Sequence, residues 1–161
     1  MKETVINISD KSCRLITQSF DELTTEALYA IMRLRQEIFI VEQDCPYLDA
    51  DGVDLSSHHI SIYHNDALIA YTRIVPPAIT YSEHSSIGRV VTRTDQRISG
   101  IGTQLMQHSI DECLQLHPNH DIKISSQCYI KGFYTKLGFI EVGEEYLEDG
   151  IPHIAMIYMK A

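Results

Sequence analysis

No apolar run in this chain approaches the ~20 residues that a helix needs to cross a bilayer. A helical membrane span is therefore not expected. The opening Met1-Lys2-Glu3-Thr4, followed by alternating residues, also lacks the apolar core of a secretory leader. Positive charge is scarce: 13 lysines and arginines stand against 22 aspartates and glutamates, a net charge of −9. That balance argues against a nucleic-acid partner, because neutralising phosphates requires a basic face. Cysteine pairs are missing too. Cys13, Cys45, Cys113 and Cys128 are scattered with no two at metal-ligand spacing, so no metal site is expected. Read as reduced thiols, they fit a cytoplasmic protein. Repeats, low-complexity tracts and long linkers are absent, and 161 residues are expected to form one domain with a sizeable core.

What is present is a succession of strand and helix signals. Residues 13–20 alternate as a first strand. Thr24 or Thr25 caps a helix running to about residue 39, with Leu28, Ile31, Met32, Ile38 and Phe39 as its apolar stripe. Residues 41–57 read as a long loop, with Cys45-Pro46 and Asp51-Gly52 as turn signals. Residues 59–64 and 68–75 form a hairpin around Asn65-Asp66, ended by Pro76-Pro77. A β-branched strand follows at 87–92, then a helix from Ile101 that buries Leu105, Ile110, Cys113 and Leu114 and stops near His117-Pro118. Residues 121–125 make a short strand, and a helix carrying Ile130, Phe133, Tyr134 and Leu137 leads to strands at 139–145 and 153–160. The helix from Ile101 joins two strands at parallel-crossover length, while the neighbouring pairs read as hairpins. The fold class is therefore α/β, a mixed sheet with helices on its faces.

Between the 87–92 strand and the Ile101 helix lies Arg97-Ile98-Ser99-Gly100-Ile101-Gly102. Strand, glycine turn and helix together aim unpaired backbone N–H groups at one point, and the helix dipole adds partial positive charge there. A Cβ would keep a ligand away from the main chain and resist positive φ, so the glycines suit a close approach. Arg89, Arg93 and Arg97, three of the seven arginines, lead into the turn. Such a cluster in an acidic chain fits a small polyanion, and a pyrophosphate is the natural guest. A Walker A loop would need Gly-Lys-Ser/Thr where Gly102-Thr103-Gln104 stands, and a Rossmann turn would need a small residue in place of Leu105.

This stretch resembles the pyrophosphate-binding motif of the GNAT family of N-acetyltransferases, Gln/Arg-x-x-Gly-x-Gly/Ala. Gly132-Phe133-Tyr134-Thr135-Lys136-Leu137-Gly138-Phe139 is similar to a second motif of that family, Ala/Gly-Phe-Tyr-x-x-x-Gly-Phe, about 30 residues downstream in the expected order. Residues 34–47 and 146–154 resemble the ElaA-type subgroup. The resemblance covers nearly the whole chain. It implies one GNAT domain over residues 1–161, with a mostly antiparallel sheet, a splayed parallel central pair and helices on both faces.

It also implies acetyl-CoA as co-substrate and N-acetyl transfer to a primary amine, a small molecule or a peptide, by direct attack in a ternary complex. Backbone groups of Val90, Val91 and Thr92 would bond the pantetheine, with a main-chain N–H there for the oxyanion and Gln127 across the splay. Arg97, Ile98, Ser99, Gly100, Ile101, Gly102 and Thr103 would hold the pyrophosphate, and Tyr134 would protonate the departing thiolate. A homodimer is a family expectation. The glutamate that some relatives carry before the glycine turn is replaced here by Gly88, Arg89 and Val90. The general base is therefore sought among Glu42, Glu145 and His153, with His59 a further candidate. Glu145 and His153 could face one another across the last turn.

Asp44, Asp49, Asp51 and Asp54 read as a solvated loop, or as a lining of the acceptor cleft that would favour a cationic amine. EF-hand spacing is missing. Cys128, near the same strand ends, keeps a covalent acyl-cysteine route open. Two other readings remain. Arg35-x-x-x-Phe39 and the acidic loop are similar to the N-terminal region of acyl-homoserine-lactone synthases, although the tryptophan of that region is missing, this chain having none. The second is a CoA-sensing module that binds the donor without turnover.

Overall fold

Alternating side chains and tight turns at positive φ build an antiparallel sheet from the N-terminus onward. The computed structural model describes residues 1–96 and 100–160. β1 (Lys2–Ile8) and β2 (Lys11–Ser19) join through Ser9 and Asp10, at φ 46° and 64°, a two-residue turn whose twist matches the strands. The strand expected at 13–20 is thus the second one. β1 escapes the sequence pattern because it is an edge strand, exposed over most of its length, with no buried face to enforce apolar alternation.

β3 (His58–His64) and β4 (Ala67–Val75) close around Asn65-Asp66 as expected, both turn residues again at positive φ. β5 (Ser86–Thr92) completes a five-stranded antiparallel sheet in chain order. A second sheet has the order β6-β8-β7, from β6 (Ile122–Gln127), β7 (Ile140–Glu148) and β8 (Ile151–Tyr158).

α1 (Thr25–Arg35) starts where Thr24 accepts a hydrogen bond from the Ala27 N–H at 3.1 Å. It runs on as a wider π-type coil over Gln36–Glu42. α1 and this coil pack Ile31, Leu34 and Ile38 against Leu68, Tyr71 and Val91 on one face of the first sheet. α2 (Ile101–Leu116) covers the opposite face. It buries Ile101, Leu105, Ile110 and Cys113 as expected, together with Met106, against Ile60, Ile62, Ile74, Ile122 and Met156. α3 (Lys131–Lys136) extends this core through Tyr134. Helices therefore lie on both faces of the sheet.

Among the described residues one β-bridge joins the two sheets. Ser85 bridges Ile122 in parallel register, its N–H donating to the Asp121 carbonyl at 3.1 Å while the Lys123 N–H donates to the Ser85 carbonyl at 2.9 Å. Beyond it, no ladder pairs β5 with β6 among the described residues, so the two strands part towards their C-terminal ends. β5 also carries a bulge. Val91 pairs with Tyr71 and Gly88 with Arg73, so Arg89 and Val90 together oppose Thr72, and Arg89 sits at φ 54°. A bulge bends its strand, and this one lies on the wall of the gap.

Candidate active site at the strand splay

The donor side is built from β5, β6 and the start of α2. Val91 is buried on the α1 side and Val90 is half-buried on the α2 side, so their side chains belong to the core. The gap-facing main chain of β5 past Ser85 has no strand partner among the described residues. Thr92 ends β5, and Gln127 ends β6 across the gap. Gly100 caps α2 at φ 77° and offers no side chain to its N–H groups, and the first turn holds no acidic residue. Among the described residues the first helical bond runs from the Gln104 N–H to the Gly100 carbonyl, and the Ile101, Gly102 and Thr103 N–H groups have no acceptor there.

Gly102 is not required by packing, since a Cβ there would sit 3.8 Å from the Phe133 ring, an ordinary contact. A helix N-terminus without a side-chain cap hydrogen bond fits an anionic group approaching the main chain. Arg97, Ile98 and Ser99 lie outside the described residues.

Tyr134 is buried, with its ring edge-on to Phe133 at 5.1 Å and to Phe139 at 5.9 Å. Burial, with a smaller contribution from Tyr129, pushes its phenol up to about 12, so it carries its proton at neutral pH. Burial and the Glu145 carboxylate likewise push the Cys128 thiol up. A thiol held protonated is a poor nucleophile, which weighs against the acyl-cysteine route.

The face of β6 turned away from α2 carries Lys123, Ser125 and Gln127, because Ile122 and Ile124 are buried in the α2-side core. Gln127 pairs with His153, which pairs in turn with Tyr146 on β7. His153 is buried. Its Nδ1 lies 2.7 Å from the Ile151 carbonyl and its Nε2 3.2 Å from Glu148 Oε2. The Ser125 hydroxyl donates to the same Glu148 oxygen at 3.1 Å and bonds the Tyr146 phenol. The Tyr146 and His153 rings stack with centroids 6.2 Å apart.

His153 therefore has a carboxylate partner, but it is Glu148 and not Glu145. The two-residue turn at Asp149 and Gly150 sets Glu148 opposite Ile151 and Tyr146 opposite His153, so Glu145 is not the residue across from His153. Glu145 lies instead within reach of Lys131 and Cys128. Asp149-Gly150, at φ 50° and 75°, was the available signal, since Asp-Gly between two strand patterns marks a two-residue hairpin turn and fixes the register beside it.

Two other base candidates lie elsewhere. Glu42 accepts a hydrogen bond from the Thr94 hydroxyl at 2.7 Å and, with Glu37, Ile38 and Arg93, lines a surface cavity of about 370 Å³ at the exit of β5. His59 is a core residue, its Nδ1 2.7 Å from the Tyr71 hydroxyl and its Nε2 3.0 Å from the Asp54 carbonyl, and burial lowers its pKa.

Residues 49–160, well over half of the chain, match the Acetyltransferase (GNAT) domain. The chain belongs to the GNAT family. Within it the chain is of the ElaA type: it is 42% identical to protein ElaA of Escherichia coli over 84% of this chain and 89% of that one. The crystal structure of E. coli ElaA superposes with a TM-score of 0.86 at 38% identity, covering 91% of this chain and 99% of ElaA. An acyl-CoA N-acyltransferase from Pseudomonas aeruginosa also scores 0.86, at 37% identity, over 92% of this chain and all of that one. The acyl-homoserine-lactone synthase BjaI scores 0.73 at 17% identity over 89% of this chain and 81% of that one, a likeness of fold alone. Family membership makes the chain an acyl-CoA acyltransferase with a CoA-type co-substrate.

One feature of this GNAT chain went unread in the sequence. Asp49, Asp51 and Asp54 do not form a solvated loop. They alternate with three arginines in a closed ring. Arg35 bonds Asp49 and Asp54, both at 2.7 Å. Arg73 bonds Asp54 at 2.8 Å and Asp51 at 2.6 Å. Arg89 bonds Asp49 at 2.7 Å and Asp51 at 3.2 Å. Arg35, Asp49, Asp54 and Arg73 are buried. Burial raises Asp51, but Arg73, the Val53 N–H and Arg89 outweigh it and hold the carboxyl down to about 2. Asp54 is likewise held low, its burial outweighed by Arg35 and Arg73. Arg89 is therefore engaged by the loop and does not form a basic patch at the glycine turn, while Arg93 pairs with Asp95 at 3.3 Å. Asp44 is exposed and lies outside the ring.

Proposed function

We propose that this chain transfers the acetyl group of acetyl-CoA to a primary amine by direct attack in a ternary complex. The observation that carries the reading is the parting of β5 from β6, with an unpaired strand edge on one side and the uncapped N-terminus of α2 nearby. In this reading the pantetheine lies along Val90, Val91 and Thr92 with Gln127 opposite, and residues 97–103 take the pyrophosphate. A main-chain N–H at the β5 bulge meets the developing oxyanion. Tyr134, held protonated, gives its proton to the thiolate sulfur as the carbon–sulfur bond breaks.

His153 takes the proton of the attacking amine. Nδ1 faces the Ile151 carbonyl and Nε2 the Glu148 carboxylate, so the imidazolium formed by taking that proton has an acceptor at each ring nitrogen. Glu42 and Glu145, already engaged by other side chains, take no step. The same reading expects one domain over residues 1–161, a cytoplasmic location and a homodimer.

Calorimetric titration with acetyl-CoA tests this reading on the wild type and on Gly102→Trp. Binding to the wild type and its loss in the folded variant support a donor site at the turn, after which amines are screened by thiol release. A folded wild type that does not bind acetyl-CoA sinks the reading.

A further inference from the structure

We propose that the ring of three arginines and three aspartates is a positioning device that holds the β5 bulge in the conformation facing the thioester; the inference rests on the acetyl-transfer reading above. The bulge places a residue at φ 54°, a conformation that suits glycine and strains other L-residues. The chain has arginine there, with its glycine one position earlier. What holds Arg89 in that conformation is its side chain. Nε donates to Asp49 Oδ1 at 2.7 Å, and Nη2 donates to the Asp49 carbonyl at 3.1 Å and to Asp51 Oδ2 at 3.2 Å. The guanidinium also lies 5.7 Å from the centroid of the Tyr47 ring.

Asp49 is fixed in turn by Arg35, whose side chain is fully buried at the end of α1. From β4, the Thr72 hydroxyl donates to the Gly88 carbonyl at 2.8 Å and pins the bulge from its other side. Arg35 and Arg73 alone could tie residues 49–54 to the fold. The third arginine adds a bond from the strand edge at the position where the main chain departs from regular pairing. Arg89 is thus a positioning residue, acting through the main chain of its own bulge.

The test compares acetyl-CoA with CoA by calorimetry, since the two differ only in the acetyl group that the bulge would meet. The wild type is expected to bind acetyl-CoA more tightly. Arg89→Ala and Asp49→Asn are expected to reduce that preference about fivefold, the worth of one net hydrogen bond, with CoA affinity unchanged. Arg89→Gly takes positive φ without help and should keep the preference. Arg35 still holds Asp49 when Arg89 is removed, so the Arg89 variants carry the test if Asp49→Asn does not fold. Equal binding of both ligands by the wild type, retention of the preference in Arg89→Ala, or its loss in Arg89→Gly would overturn the inference and leave the donor site standing. A wild type that binds neither ligand overturns the acetyl-transfer reading itself.

Discussion

Tyr134 illustrates how a core residue can also carry chemistry. Its ring packs edge-on between two phenylalanines, and that same burial pushes the phenol up to about 12. Tyr134→Phe preserves the packing and removes the proton donor. The expected outcome is a loss of about 10²–10⁴-fold in kcat, the usual worth of a general acid, with acetyl-CoA affinity nearly unchanged. Steady-state thiol release checks it, and unchanged kcat would assign the residue to packing alone. Asp54 makes the opposite case, a site-like residue whose work is structural. It accepts from both Arg35 and Arg73 in a buried setting, so Asp54→Ala leaves two buried cations short of a partner. A loss of about 3–5 kcal/mol in denaturant unfolding is expected, as when one partner of a buried ion pair is removed.

At the scale of elements, the turn after α3 governs where Tyr134 sits. Gly138, at φ 102°, ends the helix as its N–H bonds the Thr135 carbonyl at 3.0 Å and the Phe139 N–H bonds the Tyr134 carbonyl at 3.1 Å. A Cβ on Gly138 would lie 3.0 Å from the Tyr158 ring. Strain and crowding therefore add, and Gly138→Ala should cost more than about 1 kcal/mol by thermal unfolding. Gly143 acts differently. It marks the bulge that shifts β7 against β8 between Val142 and Tyr146, while the Asp149-Gly150 turn is what brings Glu148 to His153.

At the scale of the whole molecule, the buried groups set the pH response. Burial lowers the pKa of His59 and His117, so the unfolded chain binds protons that the folded chain refuses. Stability should fall as pH drops below about 6.5, the unfolded histidine value. A second fall is expected from about pH 4, the unfolded aspartate value, towards 2, as the carboxyls of Asp51 and Asp54 that the arginines hold low become protonated. Urea midpoints measured from pH 8 to pH 2 should show both falls, and a flat profile above pH 4 would refute the histidine contribution.

The sequence by itself determined the order of most elements, the hairpin at Asn65-Asp66, the buried stripe of α2 and the two family motifs. These are readings of period, turn chemistry and short-range spacing, which neighbouring residues decide among themselves. The edge strand β1 and the Glu148 partner of His153 are local as well, each set by a two-residue turn, but the charge ring depends on residues far apart in the chain. Asp49 meets Arg35 and Arg89 across 14 and 40 positions. A charged side chain reads as solvated until a partner of opposite sign arrives from another element. Which aspartates are buried only the tertiary structure decided, because Coulombic pairing depends on distance in space and not on distance along the chain.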